Sequence, residues 1–113
     1  MFEKKRFFIA GVQFRTPKDK EALLVVKEGD MLRLDPEPTN PYDPNAVKIV
    51  DQGNSFHFGY VPKKYSSEVA AALEVGTELE CKIVTHNPKG KPWEVCEVEI
   101  AHCGVGQAKG DSE

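Results

Sequence analysis

Asn40-Pro41-Tyr42-Asp43-Pro44-Asn45-Ala46-Val47-Lys48-Ile49-Val50 passes from a proline-stiffened loop straight into a β-branched run. Pro41 and Pro44 fix φ at their own positions and hold the residues before them extended, so Tyr42 and Asp43 are presented in a nearly fixed geometry. The residues that follow, 46–50, have the composition of a strand. Asp51-Gln52-Gly53-Asn54-Ser55 is a turn, and residues 56–61 return as a second strand, so a rigid recognition loop is expected to lead into a β-hairpin.

Working outward, residues 6–14 are aromatic and β-branched with a glycine at 11, and read as a first strand. Residues 15–21, interrupted by Pro17, read as a polar loop, and residues 23–26 suit either a strand or one buried helical turn. Met31-Leu32-Arg33-Leu34 follows a Gly29-Asp30 turn and is expected to be a strand. Beyond Pro62, residues 66–74 predict a helix, with Ser66 and Ser67 as caps, alanines inside and Gly76 past the end. Residues 78–83 and 97–100 alternate polar with apolar and are expected to pair antiparallel across a turn at 87–92. The fold expected is mainly β, an OB-like or SH3-like, partly open antiparallel barrel of about six strands with one short helix. The barrel domain is expected over residues 1–103 and a loose, glycine-rich tail over 104–113.

A chain of 113 residues, 40% hydrophobic, fits one domain that buries roughly two thirds of the surface its unfolded form exposes. Its longest apolar run, residues 7–12, is too short to cross a bilayer or to form a typical signal-peptide core. Three cysteines without C-x-x-C spacing argue against a disulfide framework, so a cytoplasmic protein is expected. The formal charge of −3 divides unevenly, with a net +4 over residues 1–20 and −7 over the rest, which allows a basic face on an acidic protein.

Three blocks resemble the HIRAN domain, a module found in some Swi/Snf-type helicases and as a free-standing bacterial protein. They are Ile9-Ala10-Gly11-Val12-Gln13-Phe14, the stretch from Glu37-Pro38-Thr39-Asn40-Pro41-Tyr42-Asp43 to Ile49, and Gly59-Tyr60-Val61-Pro62-Lys63-Lys64. The resemblance implies an OB-like barrel that grips the 3′ end of single-stranded DNA, without a cofactor. It places Tyr42 and Phe14 at base-stacking positions, Asp43 where a carboxylate accepts the proton of a 3′-hydroxyl, and Asn40 and Lys63 on base or phosphate. Gln13, Arg15 and Tyr60 stand where the helicase-linked members have an arginine, an aromatic residue and a histidine.

The chemistry stands beside the resemblance. Stacking on an aromatic contributes about 1–3 kcal/mol per base whatever the base. A carboxylate repels phosphates, so Asp43 suits DNA where a hydroxyl or amine faces it. Lys63 and Lys64 precede the predicted helix, where the dipole favours an anion. Each residue also has a plainer reading: Asn40 and Asp43 as caps of their own loop, Lys63 and Lys64 as solvated charges. Trp93, beside Lys91, reads as a stacking platform or as closure of an open barrel end. His57, His86, His102 and the cysteines lack metal-ligand spacing, Cys81 shares parity with core residues, and no catalytic motif is present, so a non-enzyme is expected. The competing function is a protein-interaction module that takes a peptide on the barrel face or an edge strand. The partner expected is the 3′ end of single-stranded DNA, with a helicase or nuclease as further partner, a monomer and no membrane.

Overall fold

A computed structural model describes residues 2–103, so the expected tail at 104–113 lies outside the described residues. Six strands, β1 (Lys5–Phe8), β2 (Met31–Pro36), β3 (Val47–Val50), β4 (His57–Tyr60), β5 (Leu79–His86) and β6 (Cys96–His102), form one antiparallel sheet in the order β1-β6-β5-β2-β3-β4. The two edges of the sheet meet just beyond β1 at a single bridge: Ala10 and Tyr60 of β4 exchange backbone hydrogen bonds of 2.9 and 2.8 Å. This pair curls the sheet into a barrel. It also explains Gly59, because a Cβ there would stand 2.4 Å from the Ala10 carbonyl oxygen. Only a hydrogen lets the two backbones approach that closely.

Period-two patterning fills the interior. Cys96, Val98 and Ile100 of β6 and Cys81 and Ile83 of β5 face inward, each essentially inaccessible to solvent. A register shift between Ile49 and Val50 interrupts the β3–β4 pairing, and both of these neighbours are buried. Phe7, Ile9, Leu23, Phe58, Val61 and Val69 complete much of the core. Burial pushes the Cys96 thiol up to about 12 and that of Cys81 further, so both sulfurs act as small apolar side chains.

Four local readings change. The expected strand 6–14 ends at Phe8; Gly11 adopts a left-handed conformation (φ 76°) and Val12–Phe14 is a 3-10 helix. Residues 15–21 are no loop, since α1 runs Pro17–Leu24. Pro17 sits at the first helical turn, where its missing N–H costs nothing, and the Thr16 hydroxyl caps the Asp19 N–H at 3.1 Å. α2 spans Lys63–Glu74, three residues longer at its start than expected, with Pro62 at the N-cap and no side-chain cap. Ser66 lies inside this helix, buried, and its hydroxyl serves a different partner. There are therefore two α-helices among the described residues, not one. A further 3-10 helix, Pro92–Glu94, packs against Val12–Phe14.

Candidate nucleic-acid interface

The loop between β2 and β3 is stapled from within. Asn40 Oδ1 accepts from the Tyr42 and Asp43 N–H groups at 2.8 and 3.0 Å, and Asp43 Oδ1 accepts from the Asn45 N–H at 2.9 Å. The Glu37 N–H donates to the Ala46 carbonyl and the Ala46 N–H to the Asp43 carbonyl. With both prolines in place, this short segment has little freedom left. Its outcome differs for adjacent residues. The Tyr42 side chain projects outward, 88% exposed, whereas Asp43 turns its second oxygen toward α2 and accepts the Ser66 hydroxyl at 2.8 Å. The Asn45 N–H, the Ser66 hydroxyl and the nearby Lys63 charge hold the Asp43 carboxyl below its usual range.

Beneath Tyr42 lies an open groove of about 280 Å³, lined by Ala10 and Gly11 on one side of the barrel closure, Tyr60 and Val61 on the other, and Asn40, Tyr42, Asp43, Ala46 and Lys63. One lysine and one aspartate share it, so the groove is mixed in charge and is not the basic face that the charge distribution allowed. Lys63 opens α2, whose first N–H groups carry no side-chain cap and whose dipole adds positive character. Lys64 is exposed, lies 5.0 Å from the Tyr65 ring centroid and does not line the groove.

Tyr60 and Asn40 converge on one carboxylate. The Tyr60 hydroxyl and the Asn40 Nδ2 each donate to Glu37 Oε1 at 2.8 Å, and Lys48 stands 3.9 Å from Glu37 Oε2. The Asn40 amide, assisted by Tyr60 and Lys48, outweighs burial and keeps the Glu37 carboxyl low. Burial and the adjoining Glu37 push the Tyr60 phenol up. Glu37 falls within the family block, yet spacing along the chain gave no sign of its two partners, which come from the loop and from β4.

Arg15 is spent inside the protein. Its Nε donates to the His57 carbonyl and its Nη2 to Asp19 Oδ2, each at 2.8 Å, while Asp19 Oδ1 accepts the His57 N–H at 3.1 Å. This knot ties α1 to β4. Burial opposes ionisation of Asp19, but the His57 N–H, Arg15 and Thr16 together hold its pKa down. Burial and the Arg15 charge lower the His57 pKa, so its imidazole is neutral at pH 7, and its Nε2 lies 3.0 Å from the Gly59 carbonyl oxygen.

Phe14, 81% exposed, and Trp93, 50% exposed, sit on the two 3-10 helices that pack together, outside the groove lining. Lys91 Nζ lies 5.6 Å from the Trp93 ring centroid. Gln13, between Val12 and Phe14, has a buried Oε1 without a hydrogen-bond partner among the described residues. The groove therefore gathers Asn40, Tyr42, Asp43, Tyr60 and Lys63 of the expected site and leaves Gln13, Phe14, Arg15, Lys64 and Trp93 outside its lining. Among the described residues no three His, Cys, Asp or Glu side chains are grouped to hold a metal ion, and no helix is long and apolar enough to cross a membrane.

A six-stranded, partly open antiparallel barrel with a stiff aromatic loop beside an open groove defines a small binding domain of OB-like build. The HIRAN domain model matches residues 3–101, and the chain belongs to that family. Among solved structures, the crystal structure of the HIRAN domain of human HLTF is 21% identical, with 88% of this chain and 74% of that chain covered and a TM-score of 0.67. The NMR structure of the same domain gives 20%, 88%, 75% and 0.57. A protein from Lactobacillus plantarum is 16% identical, with 87% of this chain and 95% of that chain covered and a TM-score of 0.73. Comparison with curated proteins gives no match. At these identities the structural likeness speaks for the fold, and the family model for membership.

Proposed function

We propose that this HIRAN domain is a non-enzymatic module that binds single-stranded DNA and takes the 3′ end into the groove under Tyr42. One observation carries the reading: an aromatic ring, 88% exposed, stands on an internally stapled loop that lines a groove pairing a lysine with a carboxylate. An exposed ring on a loop that is already ordered is ready to stack on a base, with little conformational entropy left to lose. Lys63 and the uncapped start of α2 receive the last phosphate, and the Asp43 side supplies acceptors for a terminal hydroxyl. Phe14 and Trp93 offer further stacking surfaces along the strand. Work of this kind belongs to DNA repair or replication-fork processing in the cytoplasm, beside a helicase or nuclease partner.

Fluorescence polarisation with 3′-hydroxyl, 3′-phosphate and 3′-blocked oligonucleotides tests it. Binding of the 3′-hydroxyl strand is expected at low salt, with a log–log salt slope near −1, because only one or two cations meet phosphates and each contributes roughly −0.7. Absence of binding at low salt would overturn the reading. The balanced charge of the groove favours one competitor, a peptide docking through the same face; capture of a peptide that Tyr42→Ala abolishes, with no oligonucleotide bound, would establish that instead.

A further inference from the structure

Tyr60 and Asn40 both line the groove, yet the Tyr60 hydroxyl hydrogen and one of the two Asn40 Nδ2 hydrogens point at the same oxygen behind the wall. That oxygen belongs to Glu37, which does not itself line the groove. We propose that Glu37 is a specificity-determining residue: by holding the Tyr60 hydroxyl hydrogen and an Asn40 amide hydrogen, it strips donors from this wall and makes the groove select a strand end bearing a hydroxyl over one bearing a phosphate. This rests on the nucleic-acid reading and assigns its end preference to a residue behind the contact surface.

The geometry runs in one direction. Asn40 Oδ1 is committed to the Tyr42 and Asp43 N–H groups, so its carboxamide can present only Nδ2 to Glu37. A carboxylate is acceptor-only, so the shared hydrogen of the Tyr60–Glu37 contact must come from the phenol. Glu37 stays ionised at neutral pH, with Lys48 at 3.9 Å from its other oxygen, and Lys48 is in turn shared with Asp35 at 3.5 Å. A terminal phosphate brings negative charge and acceptors alone. On this wall it meets the Asp43 carboxylate and a phenol whose hydrogen is taken, with Glu37 behind, so it is repelled and denied the phenol as a donor. A hydroxyl brings a hydrogen and finds acceptors. Lys63 is the one charged donor of the groove lining, and it serves the phosphate that precedes the terminal sugar.

Glu37→Met tests this with little change in side-chain length. Methionine offers neither a charge nor a strong acceptor, which frees the phenol hydrogen to turn to the ligand, whereas a glutamine would keep an oxygen in place to accept it. Polarisation with otherwise identical 3′-hydroxyl and 3′-phosphate oligonucleotides is expected to give about a tenfold preference for the hydroxyl in the natural protein, as charge repulsion of this size produces. In Glu37→Met the preference falls to within about twofold, whereas Tyr60→Phe, which removes a donor already committed, retains it. A ligand-free readout accompanies these: the Tyr60 ring, followed by NMR, titrates at lower pH in Glu37→Met. A folded Glu37→Met protein that keeps the natural preference, or leaves the Tyr60 titration unmoved, would overturn the assignment. Should the natural protein bind no oligonucleotide, the nucleic-acid reading fails with the selectivity it would have carried, and the Tyr60 titration still decides separately whether Glu37 holds the phenol hydrogen.

Discussion

Tyr42 and Asp43 are neighbours in the chain with opposite surroundings, one ring in solvent and one carboxylate bridging to Ser66 of α2. Their substitutions should therefore separate binding from stability. Tyr42→Ala is expected to weaken oligonucleotide binding by about 1–3 kcal/mol while Tm stays within about 3 °C, since little native packing is lost. Asp43→Ala is expected to lower Tm further than that, because the Asn45 N–H loses its acceptor and the buried Ser66 hydroxyl loses its tie to the loop, keeping only the Lys63 carbonyl at 3.1 Å within its own helix. Thermal melts and polarisation on both variants check the pair. The outward tyrosine was legible in the flanking prolines and in the Asn40 cap. The inward acid was only half legible, since its turn to Asn45 is local whereas Ser66 lies far along the chain.

At the scale of elements, the hairpin, β2 and the β5–β6 pair could all be read from alternation and turn residues, for these patterns depend on neighbours in sequence. α1 could not, because Pro17 reads as an interruption unless Thr16 and Asp19 are recognised as a cap and a first-turn acid. α2 was placed correctly in kind and late in position, since its start is set by Pro62 and its serine is used for packing. The first strand was overextended because barrel closure at Ala10 is a long-range event. Gly59→Ala tests that closure: the new Cβ would meet the Ala10 oxygen at 2.4 Å and Ile9 Cγ2 at 2.6 Å. A loss of about 1–3 kcal/mol, with a drop in Tm on the order of 10 °C, is expected in a differential scan.

For the whole molecule, four groups set the response to acid. Asp19, Glu37 and Asp43 have folded pKa values below their ordinary 3.8, 4.5 and 3.8, so the stability they contribute is present above those values and lost as pH falls through the folded ones. His57 is also lowered, from 6.5; the unfolded chain takes up that proton first, and acid destabilises here as well. Tm is expected to decline gently below pH 6.5 and steeply below about 4.5, and His57→Gln should flatten the gentle limb in a pH series of melts. Of the site, the loop and Lys63 could be read in advance; Glu37, and the internal engagement of Arg15, could not, because Glu37 gathers partners from the loop, β3 and β4, and Arg15 from α1 and β4. The seam between Ala10 and Tyr60 has a wider consequence. Gly11 and Val61 continue its two lips into the groove, so an occupant that spans the groove touches both margins of the curled sheet at once and acts as a clasp that ligation adds to a seam whose own backbone pairing is two bonds.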